Sequence, residues 1–229
     1  MPFLVSRLAK FAPKDLLVNV KSSINRDIMN FLSIDCSTNT GSLFIKFKNK
    51  TFSKILQSDK SNNDKLMKQI IDFFQEKNIK FEDLSTIYVN QGPGNFSGLR
   101  GSLAVAKGIS IAKNLNLFGY DIFIWSCARF FNKKKKVFSI IKFNEKYFIK
   151  KFDDKLNSIS KVEEISENQI VTKYKNGFKV VPKKIINHFN DKLLKLSDLN
   201  IVDLDYNELE FLQLKGLLNK DLIRPLYLI

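Results

Sequence analysis

A chain of 229 residues, 44% hydrophobic and 27% charged, can bury a core as one domain or as two small lobes. No apolar run approaches the roughly 18 residues that cross a bilayer, which excludes an integral helical membrane protein. The net charge of +15 invites a polyanion, but among 38 basic residues only Arg7, Arg26, Arg100, Arg129 and Arg224 are arginine. Dedicated nucleic-acid surfaces lean on arginine, so the lysine excess reads first as the compositional mark of AT-rich coding.

Two further counts narrow the chemistry. Cys36 and Cys127 are the only cysteines and no signal-peptide pattern is present, which points to a reducing, cytoplasmic setting with free thiols. His188 is the single histidine, set among apolar residues, and there is no CxxC pair. An HExxH metallohydrolase needs two imidazoles on one helical face, so that class is excluded. No metal site and no catalytic residue is assigned from these residues.

In chain order, residues 1–28 fit poorly with the rest of the chain. They are mildly amphipathic and basic, broken by Pro13, and Met29 opens a strong strand at once. They read as an extension upstream of a natural start at Met29, with a docking arm as the second reading. From Met29 the pattern predicts a meander of three strands, 30–35, 42–47 and 51–56, separated by Cys36-Ser-Thr-Asn-Thr-Gly41 and Lys48-Asn-Lys50. Ser61, Asn62 and Asn63 are N-cap residues for a helix to about Asn78, whose wide apolar stripe holds Leu66, Met67, Ile70, Phe73 and Phe74. A strand at 85–90 then feeds a glycine turn, a helix to about Asn114, and a further strand from Leu117 to Ile124.

That succession, β-β-β-α-β-α-β, sets helices against a mixed sheet and ends a first lobe near residue 130. Lys133 to Lys136 reads as a solvated connection. The second half, 131–229, begins with paired strands at 137–143 and 146–152 and then loses its periodicity. A helix at 205–219 and an extended segment at 223–229 close the chain.

Two segments can carry chemistry. Asp35 ends the first strand beside Ser37 and Thr38. An acid at the mouth of a central strand can orient a metal-bound phosphate, and it can equally accept hydrogen bonds from its own Ser-Thr turn. The second segment, Asn90 to Gly108 (NQGPGNFSGLRGSLAVAKG), holds five of the nine glycines. It follows a strand and opens a helix, the setting in which glycines let backbone approach a phosphate or another element closely. Its spacing is neither GxxxxGK[ST] nor GxGxxG. Gly98, Gly101 and Gly108 fall inside the helix, where each costs about 1 kcal/mol relative to alanine. Gly101, Ala104, Gly108 and Ala112 share one face, which suits close packing. Gly92 and Gly94, flanking Pro93, remain phosphate-contact candidates together with Asp35, Ser37 and Thr38. The lysines of the 137–152 hairpin alternate with aromatics, a pattern that can stack bases and more commonly marks a half-buried strand.

These residues resemble a known family. MNFLSIDCSTNTGSLFI at 29–45 resembles the opening hairpin of the TsaB family, GPGNFSGLRGSLAVAKG at 92–108 is similar to its glycine run, and Arg224-Pro-Leu-Tyr-Leu-Ile229 to its C-terminal end. The likeness is good over about 29–125, weak over 126–220 and absent before Met29. It implies an α/β, two-lobed actin-like (ribonuclease-H-like) ATPase fold of the Gcp-like group, with mixed sheets flanked by helices and a reduced second lobe. The resemblance also implies a role in tRNA threonylcarbamoyladenosine formation. There the chain would be a non-catalytic partner that dimerises with a TsaD-like transferase paralogue and works beside a small TsaE-like ATPase subunit, meeting tRNA through the complex. Carried over, the pairing surface would use Leu66, Ile70 and Phe74 of the first helix and Gly98, Gly101, Ala104 and Gly108 of the second. A homodimer is the expected state without that partner. The residues assign no cofactor, and ATP at a subunit interface stays open. The chain departs from the family at Asn62, where a histidine is common, and at Ile141-Lys142-Phe143, where an Asp-Ala-Arg run is common.

Two competing readings come from other classes. One is an actin-like ATPase or small-molecule kinase using Asp35 and the Gly92-Pro93-Gly94 turn, against which 126–229 offers no second acidic phosphate motif. The other is a stand-alone RNA-binding module driven by the lysines.

Overall fold

The structure is a computed structural model and describes residues 29–38, 40–56, 62–174, 177–184, 189, 191–196, 198–221 and 223–228. The expectations for residues 1–28, for Ser61 and for His188 lie outside the described residues. The first sheet has the strand order β3-β2-β1-β4-β5, from β1 (Phe31–Asp35), β2 (Ser42–Phe47), β3 (Lys50–Ile55), β4 (Thr86–Asn90) and β5 (Asn116–Tyr120). β1, β2 and β3 form an antiparallel meander, and β4 and β5 add in parallel. Parallel pairing needs crossovers, and α1 (Asn62–Glu76) and α2 (Phe96–Lys113) supply them.

Both helices lie on one face of this sheet. Strand alternation sends Leu32 and Ile34 to that face, into a core with Leu66, Ile70, Phe73, Phe74, Leu103, Ala106 and Ile109. Phe31, Ser33 and Asp35 of the same strand point the other way. That second face joins a larger core containing Tyr88, Tyr120, Trp125, Phe148, Val180 and Leu209, drawn from both halves of the chain.

The second sheet is β10-β9-β6-β7-β8, from β6 (Lys136–Phe143), β7 (Lys146–Asp153), β8 (Glu163–Ile165), β9 (Lys179–Pro182) and β10 (Leu199–Val202). Counted from its own first strand it repeats the order of the first sheet, with a meander β6-β7-β8 and parallel additions β9 and β10. The reduction lies in element length. α4 (Glu167–Thr172) has six residues and α5 (Asp191–Leu194) four, against 15 and 18 in α1 and α2.

Two expectations change. The run from Leu117 to Ile124 is not one strand: β5 ends at Tyr120 and α3 (Ile122–Cys127) begins, because Asp121 accepts from Ile124 N at 2.8 Å and caps a helix. The last helix, α6 (Asn207–Leu214), is shorter than the 205–219 read from sequence. Beyond it the chain returns to the first sheet. Gly119 and Asn219 exchange backbone hydrogen bonds, and Leu226 N donates to Gln91 O at 2.6 Å.

Candidate functional site

Asp35 occupies the C-terminal end of β1 and is 1% exposed. Its Oδ1 accepts from Ser37 N at 2.9 Å and Ser37 Oγ at 2.6 Å, the local turn that sequence alone allows. Its Oδ2 accepts from Lys184 Nζ at 2.8 Å, a residue just past β9 in the other sheet. Burial opposes ionisation of Asp35 most strongly, yet the Lys184 ammonium and the two Ser37 donors together hold the carboxyl below its ordinary value. A carboxylate ion-paired in this way is neutralised within the chain. Burial, with the Asp35 charge adjoining, pushes the Cys36 thiol up to about 12, so it stays protonated and unreactive.

The glycine run lies directly over this turn. Gly92 has φ 110° and precedes a cis peptide to Pro93, a backbone that suits glycine. A Cβ on Gly94 would strike the Ser37 backbone, and one on Gly98 would strike the Cys36 carbonyl. The glycines therefore let the start of α2 press onto the β1–β2 turn. Donors that could cradle a phosphate are engaged there: Gly92 N with Asn90 Oδ1 at 2.8 Å, Asn95 N with Ser37 O at 2.8 Å and Ser97 N with Asn95 Oδ1 at 3.1 Å. Thr38 Oγ1 donates to Thr40 O at 2.7 Å.

Ser37, Thr38 and Gly94 line a cleft of about 860 Å³ between the sheets, closed by the β6–β7 turn and the C-terminal segment. Asp35 does not line it. It borders a separate cavity of about 330 Å³ with Ser42, Lys183, Lys184, Asp203 and Tyr206. The sequence-nominated phosphate residues are thus neighbours in the fold but divide between two hollows. The β6–β7 turn facing the larger cleft is only two residues long, with Asn144 at φ 47° and Glu145 at φ 62°. Glu145 pairs with Lys142 at 2.7 Å, so on this side of the cleft the acid and the lysine offset each other beside Asn144. Among the described residues, no group of three or more His, Cys, Asp or Glu is placed to hold a metal ion.

The nominated partner surface divides as well. Leu66, Ile70 and Phe74 are 2%, 0% and 3% exposed, buried against the first sheet. The expectation that they meet a partner is corrected: the helical stripe they form is the one this lobe uses for its own core. The exposed apolar residues of α1 are Met67 and Ile71 instead. On α2, Gly98 is turned to Cys36, whereas Ala104 and Gly108 are exposed and Gly101 is half-buried. A Cβ on Gly108 would meet nothing within 4 Å among the described residues. Ile111, one turn further along, is 83% exposed. Helical spacing puts Ala104, Gly108 and Ile111 on one stripe, facing away from the sheet.

Sequence reasoning missed Lys184, which stands 149 residues from Asp35 in a run of lysines with no local signal. It also missed the aromatic rim of the cleft. Phe96 stacks on Tyr227 with centroids 5.0 Å apart, and the Arg100 guanidinium lies 4.4 Å above Phe96.

Comparison with known proteins bears on the fold and the sequence likeness. The family model for TsaD, tRNA N6-adenosine threonylcarbamoyltransferase, matches residues 56–128. The tRNA threonylcarbamoyladenosine biosynthesis protein TsaB of Buchnera aphidicola subsp. Baizongia pistaciae is 28% identical over 123 residues, 52% of this chain and 55% of the relative. TsaB of Buchnera aphidicola subsp. Schizaphis graminum is 25% identical over 115 residues, 50% of this chain and 55% of the relative. The chain thus spans about half the length of the curated relatives it matches. Among solved structures, a Pseudomonas aeruginosa protein described as similar to peptidase YEAZ aligns with TM-score 0.64 at 12% identity, over 88% of this chain and 100% of that one. YeaZ from Pseudomonas aeruginosa aligns at TM-score 0.62 and 12% identity, over 86% and 100%. The chain is TsaB-like in sequence over half its length and YeaZ-like in fold over nearly all of it.

Proposed function

We propose that this chain is a non-catalytic subunit in tRNA threonylcarbamoyladenosine biosynthesis, which dimerises with a TsaD-like threonylcarbamoyl transferase and activates it on the adenosine beside the anticodon. The observation that carries this reading is the bare face of α2. A glycine in a helix interior weakens the helix, and here Ala104 and Gly108 are exposed, with nothing among the described residues packed on Gly108. A smooth stripe ending in an exposed isoleucine offers close backbone approach to a partner helix, at a packing distance of about 8 Å. Met67 and Ile71 on α1 extend the apolar area.

The chain contributes docking and shape. Asp35 is neutralised by Lys184, and the donors around it are satisfied within the chain. The surroundings of the reading follow from it: a cytoplasmic setting, a small TsaE-like ATPase joining the pair, tRNA as the common substrate, and a homodimer through the same face when the transferase is absent. In this reading the first lobe, 29–130, carries the pairing face, and 131–229 forms the second lobe. The test is depletion in cells. Threonylcarbamoyladenosine should fall in tRNA and recover with the wild-type chain; normal modification after depletion would contradict the reading.

A further inference from the structure

The end of the second sheet remote from the cleft carries charge that the subunit reading does not use. Lys133, Lys134, Lys135 and Lys136 are consecutive and all exposed. Asn132 N donates to Asp154 O at 2.7 Å, which sets Lys155 alongside them. Lys215 lies over the rings of Phe131 and Phe211 at 5.2 and 5.8 Å, and Lys134 lies 4.6 Å above Phe178. None of these six ammonium groups comes within 4.0 Å of a carboxylate among the described residues. The lysines farther along the β6–β7 hairpin behave differently: Lys142, Lys146 and Lys151 each pair with a glutamate. The acids beside the patch are Asp153 and Asp154. Asp153 accepts from Asn157 N and Nδ2 at 2.7 and 3.0 Å, and it also feels the nearby Lys155 charge, so Lys155 is partly offset.

Four adjacent like charges repel one another, and a polyanion relieves that repulsion while releasing its own counterions. The aromatic rings hold the stems of Lys134 and Lys215 and so fix where two of the charges stand. Lysine presents a point charge without the planar fork that reads base edges, so the chemistry recognised is a phosphate backbone and not a sequence. We infer that this patch contacts the sugar-phosphate backbone of tRNA directly, through Lys133 to Lys136, Lys155 and Lys215. That the polyanion is tRNA rests on the subunit reading above.

The test is fluorescence anisotropy of an unmodified tRNA transcript titrated with the full chain at several salt concentrations. Lys133→Glu/Lys135→Glu is compared with Lys48→Glu/Lys50→Glu, an equal charge change on the first sheet. The patch variant should bind roughly 10-fold more weakly near 100 mM salt, with a shallower dependence of log affinity on log salt. The control pair should change affinity by less than about 2-fold, as expected of charges beyond a Debye length. Equal weakening by both pairs, unchanged binding by the patch variant, or wild-type binding indifferent to salt would overturn the inference. Binding to phosphatidylserine vesicles with none to tRNA would overturn it as well. Co-purification with the transferase subunit is measured in parallel and should be the same for wild type and the patch variant. Its absence in the wild type would sink the subunit reading, whereas unchanged tRNA binding by the patch variant with pairing intact would sink the patch alone.

Discussion

The two sheets share one strand order, but the layers laid on them differ. On the first, α1 and α2 are 15 and 18 residues long, and α2 leaves Ala104, Gly108 and Ile111 uncovered. On the second, α4 and α5 have only six and four residues, and the notable surface is a row of lysines at the start of β6. The hairpin turns that face each other across the cleft differ too. The β1–β2 turn is clamped by Asp35, Ser37 and the glycines of α2, whereas the β6–β7 turn is a tight pair of left-handed residues. A repeated topology has therefore kept its framework and divided its surfaces. One lobe keeps long helices with an exposed small-residue stripe, and the other keeps its sheet and its charge.

The comparison can be broken at several points. Gly94→Val should have the largest effect, because the new side chain meets the Ser37 backbone, which cannot rotate away. A loss of about 3 kcal/mol in urea unfolding is expected, and near-wild-type stability would show that the clamp over the β1–β2 turn is not tight.

Lys184→Met comes next. It strands the buried Asp35 charge and should cost about 3 kcal/mol at pH 7. The sign with pH follows from the direction of the Asp35 shift. In the wild type its folded value is depressed, so the stabilisation is present above the ordinary carboxylate range and is lost as pH falls through the folded value. In the variant burial acts without the cation and raises it, so protonation relieves the penalty as pH falls from that raised value toward the ordinary one. The gap between wild type and variant should narrow from pH 7 to pH 4. A gap independent of pH would contradict the pairing.

Two smaller changes sharpen the contrast. Gly108→Ala on the exposed stripe should raise stability by about 1 kcal/mol, since no contact among the described residues opposes the gain in helix propensity. Glu145→Gly in the second hairpin should raise it by up to roughly 1 kcal/mol, because glycine accepts the left-handed backbone without strain. Both are read from thermal unfolding; destabilisation by Gly108→Ala would mean that its face is engaged within the chain, and by Glu145→Gly that the ion pair with Lys142 outweighs the relief of the left-handed backbone.

Much of the first lobe was legible in the sequence. The meander, α1, β4 and α2 announce themselves through period-2 and period-3.6 patterns and a glycine turn, and the family likeness resides there. The second lobe was legible as far as β7 and beyond it only in α6, which was read too long. β8, β9 and β10 have three or four residues each, too few for a period to emerge, and β9 includes Lys179, whose 0% exposure no hydropathy pattern suggests. At the site, the Asp35–Ser37 turn was local and readable. The Lys184 partner was not, because a contact across 149 residues between two sheets leaves no trace in spacing. The α1 stripe misled for a related reason: periodicity reports that a face is buried, not whether its own chain or a partner buries it.

The central claim is that the bare stripe of α2 is a docking face. Gly108→Leu tests it most directly, in co-purification with the transferase subunit alongside a melting curve of the isolated chain. With nothing among the described residues within 4 Å of a Cβ there, the variant should melt at or above the wild-type temperature and should no longer retain the transferase. Retention equal to wild type, at an unchanged melting temperature, would contradict the account.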